Sequence, residues 1–436
     1  MTSAGEDIEI TLGGIAHGGT SVGRAADGRV VFVADAIPGE RVIARVTEVK
    51  KSFARAVTLE VLDASPHRVP HIWPEAALER DPAARAGGAE FGHIALAHQR
   101  ELKARVLREA LERFSGAGRR AGGAEADDAP AAPESDSTGL KTAVTVEAAP
   151  GDDELGGLGW RSRVRLHVDA SGRPGPFAAR SHDVIPVTDL PLADPRIRAS
   201  GLLDERFPGE ASVEAIAPSA GAPDEGIRLI IGRQQPSPIV ERVDLPGGPR
   251  EFRVDDTGFW QVHREAPARL AAAVRAAIDP ARFDPEADNL DLYGGVGLLA
   301  AAMLELGGPG TRVTSVESAP RATAHAEANL ADFPGASAVT ARVERWLAAA
   351  VREGRDLSGA TIILDPPRSG AGGEATRALA GLGAAQLVYV ACDPIALARD
   401  TATLEAAGYR LSGLSALDLF PHTHHLEAVA TFLPAR

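Results

Sequence analysis

The chain has 436 residues, 44% hydrophobic and 24% charged, the balance of an ordinary globular protein long enough for two or three domains. A formal net charge of −14 argues against a surface that grips nucleic acid everywhere, and a single cysteine, Cys392, excludes an intrachain disulfide. No apolar run reaches membrane-spanning length, and "MTSAGEDIEI" lacks the basic-then-apolar pattern of a signal peptide, so the expectation is a cytoplasmic protein away from membranes.

From Asp7 to Ala64 five short strand patterns follow one another, "IEITLGGIA", "TSVGRA", "RVVFVADA", "ERVIARVTEV" and "ARAVTLEVLD", with glycine and Asp-Gly punctuation. They predict a small OB-like β-barrel over 1–65, a fold that commonly binds oligonucleotides without fixing a function. Arg41, Arg45, Lys50, Lys51 and Arg55 cluster there, and Arg161, Arg163 and Arg165 form a second basic group. Either cluster taken alone reads most simply as a solvated charged face. Apolar spacing predicts a helix within 94–114, closing a region that begins at 66. Residues 115–142, rich in Gly, Ala, Pro and acid, have almost nothing to bury and read as a disordered linker. A β-rich central subdomain is expected over 143–257. From 258 to 436 helix and strand patterns alternate, which predicts an α/β fold, a doubly wound, mostly parallel sheet.

Ligands of such sheets sit at the carboxyl ends of the strands, and four motifs fall there. "DLYGGVG", Asp291 to Gly297, runs from strand through glycines into helix, where free backbone N–H groups face a ligand. "VTSVE" ends in Glu317, 24 residues after Tyr293, placed to accept the ribose hydroxyls of an adenosine. "IILDPPRSG" puts Asp365 at a strand end before two prolines that stiffen the turn. "VYVACDP" puts Cys392 at the next strand end. A lone strand cysteine is most often a small core hydrophobe, but this one ends its strand beside another carboxylate, as a nucleophile would.

Together with "FWQVH", "LARD" and "DLFPHTHHLEAVA", these motifs resemble the RNA (uracil-5-)-methyltransferase family over nearly the whole chain, with a TRAM-type barrel in front. The resemblance implies a Rossmann-like methyltransferase domain, S-adenosylmethionine as cofactor, Cys392 as nucleophile and Glu427 as general base. It places Gln261, Tyr293, Glu317 and Asp365 at the cofactor. It implies an RNA partner, ribosomal rather than transfer RNA by analogy with the TRAM barrel, presented in a loop or bulge, and a monomeric enzyme.

The chain departs from the family at several places. Ala391 and Asp393 stand where Ser and Asn usually flank the nucleophile, and a carboxylate at 393 should disfavour the thiolate. Leu298 replaces an asparagine that contacts the cofactor in some members. Relatives with an iron–sulfur cluster use four cysteines; here those positions read Trp73, Ala86, Ala89 and Leu190, so no cluster is expected, and an apolar patch around Trp73 and Leu190 is expected in its place. His422, His424 and His425 fit the family's Phe-Pro-x-Thr-x-His-x-Glu pattern, and no metal site is expected. Adenine amino-methyltransferases share "DPP" but want an aromatic next, where Arg368 stands, and two-cysteine cytosine methyltransferases are excluded by count. Two other readings remain, a non-catalytic RNA-binding protein derived from this fold and a methyltransferase of the same fold acting on a small molecule.

Overall fold

The structure, a computed structural model, describes residues 2–114, 144–220 and 226–435. The expected linker at 115–142 lies outside the described residues.

Five strands, β1 (Asp7–Ile15), β2 (Ser21–Arg24), β3 (Val30–Ala34), β4 (Arg41–Val49) and β5 (Phe53–Asp63), close into a barrel in the order β1-β2-β3-β5-β4. Alternation explains the closure. Val42, Ala44 and Val46 of β4 point inward with Ile10 and Leu12 of β1, while the intervening residues stay outside. The barrel's basic residues are largely engaged: Arg41 pairs with Glu9 and Asp63, Arg45 with Asp7, and Lys50 and Arg55 with Glu48. Helix α1 (Leu96–Phe114) follows and buries Leu102, Leu107 and Leu111.

The central region holds an antiparallel sheet ordered β10-β9-β7-β8, from β7 (Arg163–Val168), β8 (Pro174–Gly175), β9 (Ser212–Ile216) and β10 (Arg228–Ile231), with a short helix α2 (Pro195–Arg198) between β8 and β9. A separate hairpin, β11 (Pro238–Leu245) and β12 (Gly248–Asp255), turns at Pro246–Gly247. Strand β6 (Val146–Ala148) lies within the residues expected to form the central subdomain, yet it pairs with the far edge of the C-terminal sheet. Three residues carry too little pattern to declare which sheet they join.

That C-terminal sheet has eight strands. Its order is β15-β14-β13-β16-β17-β19-β18-β6, from β13 (Asn289–Leu292), β14 (Val313–Glu317), β15 (Ala336–Thr340), β16 (Thr361–Leu364), β17 (Gln386–Ala391), β18 (Tyr409–Asp418) and β19 (Glu427–Pro434). Only β19 runs antiparallel to its neighbours. Helices α3 (Ala266–Ala277), α4 (Leu298–Gly307), α5 (Pro320–Asn329), α6 (Val343–Glu353), α7 (Gly372–Gly381) and α8 (Pro394–Ala406) cover it. The strands β13, β16 and β17 are buried along their whole length, as strands covered on both faces must be. From β13 the chain winds outward through β14 and β15, then crosses back to β16. That reversal beside β13 is where such sheets bind ligands.

Candidate active site

Five of the six expected site residues lie along one edge of this sheet. Tyr293 and Asp365 directly follow β13 and β16, Glu317 ends β14, and Cys392 directly follows β17. Glu427 opens β19, whose antiparallel course brings its start to the same edge; the pairing of Ala391 with Ala428 sets Glu427 opposite Cys392. The sixth, Gln261, sits half-buried between β12 and α3. Among the described residues no hydrogen bond joins it to the other five.

At the glycine turn Tyr293 takes a left-handed φ of 60°, uncommon for an aromatic residue, and its buried hydroxyl has no partner among the described residues. Gly294 is required for packing, since a Cβ there would meet Ser315 Oγ at 2.0 Å. Gly295 has φ 54° and open space where a side chain would go, so the backbone is accessible from the cleft. Glu317 is oriented by the same turn: Oε2 accepts from Gly295 N (3.1 Å) and Oε1 from Ala319 N (2.7 Å). Leu298 opens α4 and packs into the apolar cluster behind the turn.

Asp291, unremarked within its motif, proves to organise this corner. Its Oδ2 accepts from Ala300 N (3.1 Å) and Ser315 Oγ (3.4 Å), while Oδ1 is buried without a partner among the described residues. Burial, reinforced by the charges of Asp365 and Glu317, pushes its carboxyl up to about 7 against the pull of the Ala300 N–H. The sequence shows only an acid between two leucines; its burial comes from a strand covered at every position.

The reacting end is crowded with acids. Burial raises Asp365 to about 7, and burial followed by the charge of Asp365 raises Glu427 well above the ordinary carboxylate range. Burial also pushes the Cys392 thiol up to about 12, with Glu427 and Asp365 adding to it. Arg368, in the loop after Asp365, opposes these shifts at both Cys392 and Glu427 and is the cation that the sequence reading left without a role. The expected effect of Asp393 is present but is the weakest of these influences on the thiol. The loop from Asp365 is tied to α8 through Asp400 of "LARD", whose Oδ2 accepts from Tyr389 OH (2.7 Å) and Ala371 N (2.8 Å).

The histidines divide by role. His422 is buried, with ring nitrogens against Gln99 (3.0 Å) and Gly156 O (2.8 Å). His424 pairs with Glu90. Burial and the nearby His424 hold His425 neutral down to about 4. Ligand atoms of Glu90, His424 and His425 lie within 4.8 Å of one another, and Glu90 and His424 already satisfy each other there. Where the family's cluster cysteines would stand, Trp73, Ala86, Ala89 and Leu190 are buried together in one apolar cluster. In the second basic group, Arg163 is buried against Glu241 (3.4 Å) and the carbonyls of Asp256 and Gly258, and Arg165 reaches Ser212.

Asp365, Glu427 and Cys392 are three anion-forming groups offset by one arginine. Beside a turn with open space over Gly295 and an oriented carboxylate, that set suits a ligand with a ribose at one end and a positive charge at the other, as S-adenosylmethionine has.

Comparison with known proteins agrees. Residues 2–59 match the TRAM domain family and residues 341–434 the family described as tRNA (Uracil-5-)-methyltransferase. A protein of Streptomyces avermitilis called an uncharacterized RNA methyltransferase is 36% identical over 99% of both chains. A Streptomyces coelicolor protein of like description is 36% identical over 100% of this chain and 94% of its own. The fold matches that of the Pyrococcus abyssi tRNA (uracil-54, C5)-methyltransferase, solved with S-adenosyl-L-homocysteine, with TM-score 0.65 and 20% identity over 98% of this chain and all of that one. This chain therefore belongs to the S-adenosylmethionine-dependent RNA (uracil-5-)-methyltransferase family, as a TRAM-bearing member whose single cysteine leaves no set for an iron–sulfur cluster.

Proposed function

We propose that the protein forms 5-methyluridine in RNA with Cys392 as nucleophile and Glu427 as base. The observation that carries this reading is the register of β17 against β19, which sets the one thiol opposite a buried carboxyl at the cofactor edge of the sheet. Carbon 5 of uracil is a poor nucleophile. Addition of the Cys392 thiolate to carbon 6 forms an S–C bond and moves the ring electrons toward carbon 5 and the carbonyl at carbon 4. S-adenosylmethionine, when bound, supplies the electrophilic methyl group and a positive sulfonium. Glu427 then takes the proton from carbon 5, and the electron pair left behind expels Cys392 as thiolate. A carboxyl raised by burial is a stronger base once ionised, which suits it to a carbon acid. Gln261, Tyr293, Glu317 and Asp365 are assigned to holding the cofactor.

The cleft carboxylates oppose the thiolate in the free protein, so the nucleophile is activated only as the positive cofactor and substrate assemble. The target uridine leaves its stack to reach the thiol, which favours a loop or bulge. Ribosomal RNA is the first substrate proposed, on the TRAM barrel. Transfer RNA is the second reading, favoured by the substrate named for the family at 341–434 and for the archaeal structure. The chain acts as a monomer in the cytoplasm in this reading, and without a resident metal.

The test uses 5-fluorouridine-substituted ribosomal and transfer RNAs with S-adenosylmethionine. Fluorine cannot leave as a proton, so the native protein is expected to form a stable covalent adduct and Cys392→Ala none. Glu427→Gln is expected to form an adduct with unsubstituted RNA too, because elimination stalls, with turnover lowered by at least about a hundredfold. Normal RNA binding without any adduct would overturn the reading in favour of a non-catalytic RNA-binding protein. Methyl transfer with no RNA retention at low salt would move it to a small-molecule substrate.

A further inference from the structure

Asp393, where relatives carry asparagine, adds a negative charge next to the nucleophile, and the structure occupies both of its oxygens. Oδ1 accepts from the backbone N–H groups of Ile395 (3.0 Å) and Ala396 (2.8 Å), capping α8. Oδ2 lies 3.1 Å from Nε2 of His17, and His17 belongs to the barrel's β1–β2 loop. Although burial alone would raise it, Asp393 is held below the usual carboxylate range by His17 and the two N–H groups.

The same loop also reaches the base side of the site. At Gly19, with φ 75°, a Cβ would stand 2.7 Å from the Cβ of His424 and 3.0 Å from the Phe91 ring. The His17 ring meets the His424 ring edge-on, with 6.4 Å between centroids. His424 lies three residues before Glu427 and pairs with Glu90. One barrel loop therefore touches both the segment that carries the nucleophile and the segment that carries the base.

We propose that His17 is a positioning residue for Cys392: the barrel delivers its imidazole to within 3.1 Å of the Asp393 carboxylate and holds that carboxylate on the helix-cap side. The inference rests on the reading of Cys392 as nucleophile. It makes the barrel part of the active site as well as an RNA-binding module. It also pairs two residues far apart in sequence, the aspartate that departs from the family and the histidine that holds it. The other charged groups facing the thiol are Glu427 from β19 and Asp365 and Arg368 from the loop after β16. Among the described residues no hydrogen bond or ion pair joins His17 to any of them, and its direct polar contact is with Asp393.

Cys392 is the only cysteine, so alkylation of the full-length protein by iodoacetamide reads one thiol without background. Its rate at one fixed pH near 8 follows the thiolate fraction, which is small because the thiol is pushed up to about 12. His17→Ala is expected to lower that rate by about threefold or more, as an Asp393 carboxylate no longer held on the cap side turns its charge toward the thiol. His17→Gln, whose side-chain amide can still donate to the carboxylate at this exposed position, is expected to keep most of the native rate. In an Asp393→Asn background His17→Ala is expected to leave the rate unchanged. A merely structural role for His17 would disturb both backgrounds alike. An equal change in the two backgrounds, or no change in either, would overturn the proposal. The underlying reaction fails by a different sign: native protein that alkylates in the expected pattern but traps no 5-fluorouridine RNA would remove the methyl-transfer reading and leave the His17–Asp393 coupling standing.

Discussion

A buried carboxyl raised to about 7 changes what pH does to the fold, and Asp365 allows the sign to be worked out. Its folded value exceeds the ordinary 3.8, so the proton-bound form favours folding fully below 3.8 and that contribution is lost as pH rises through about 7. Asparagine mimics the neutral form at every pH. In thermal melts of cofactor-free protein, Asp365→Asn is therefore expected to gain stability relative to the native chain between pH about 5 and about 8, and to gain none below about 4. Buried histidines such as His93, lowered to about 3 by burial and by Arg68, act in the opposite sense in acid but are common to both proteins and cancel in the difference. A difference flat across pH would show that Asp365 is well solvated. Asp291→Asn should behave alike, since burial raises Asp291 as well, although that variant also perturbs the acceptor for Ala300 N.

At the scale of elements, the apolar cluster on the degenerate cluster positions has a measurable consequence. Trp73 is 4% exposed and packs with Ala86, Ala89 and Leu190, so it joins the segment before α1 to the central sheet. Trp73→Ala is expected to cost roughly 3–5 kcal/mol in denaturant unfolding, as truncations of large buried aromatics do. Because Trp73 Nε1 is buried without a partner among the described residues, Trp73→Phe should cost far less. Equal losses for the two would show that the indole N–H is used. The substitution pattern was legible in the sequence because loss of thiolates leaves only apolar packing to hold three approaching segments. The barrel and helix α3 were legible for a similar reason: their burial follows periods of two and 3.6 residues. Strand β6, three residues long, and the pairing of β19 between β17 and β18 were not, because both are settled by contacts far away in sequence. Strand ends announced Tyr293, Glu317, Asp365 and Cys392. Asp291, Arg368 and His17 stayed hidden, since what distinguishes each is a neighbour brought in by the fold.

For the molecule as a whole, a net charge of −14 must be reconciled with an RNA substrate. The barrel's basic cluster reads in sequence as a solvated charged face, and in the structure its cations are mostly spent on acids of the same surface. Glu48 alone engages both Lys50 and Arg55. Such exposed pairs hold little folding energy, so an approaching polyanion can recruit those cations only against the standing charge of Glu48. Glu48→Gln should consequently leave the melting temperature nearly unchanged while tightening RNA binding at low salt. The plot of log affinity against log salt should steepen by about one, the signature of one further phosphate contact and its released counterion. Lys50→Ala in the native background should produce a smaller change than it does beside Glu48→Gln, because only the freed lysine reaches phosphate. If Glu48→Gln leaves the salt slope untouched, RNA does not cross this face of the barrel, and the barrel's contribution narrows to the His17 loop that it sets against the segments carrying Cys392 and Glu427.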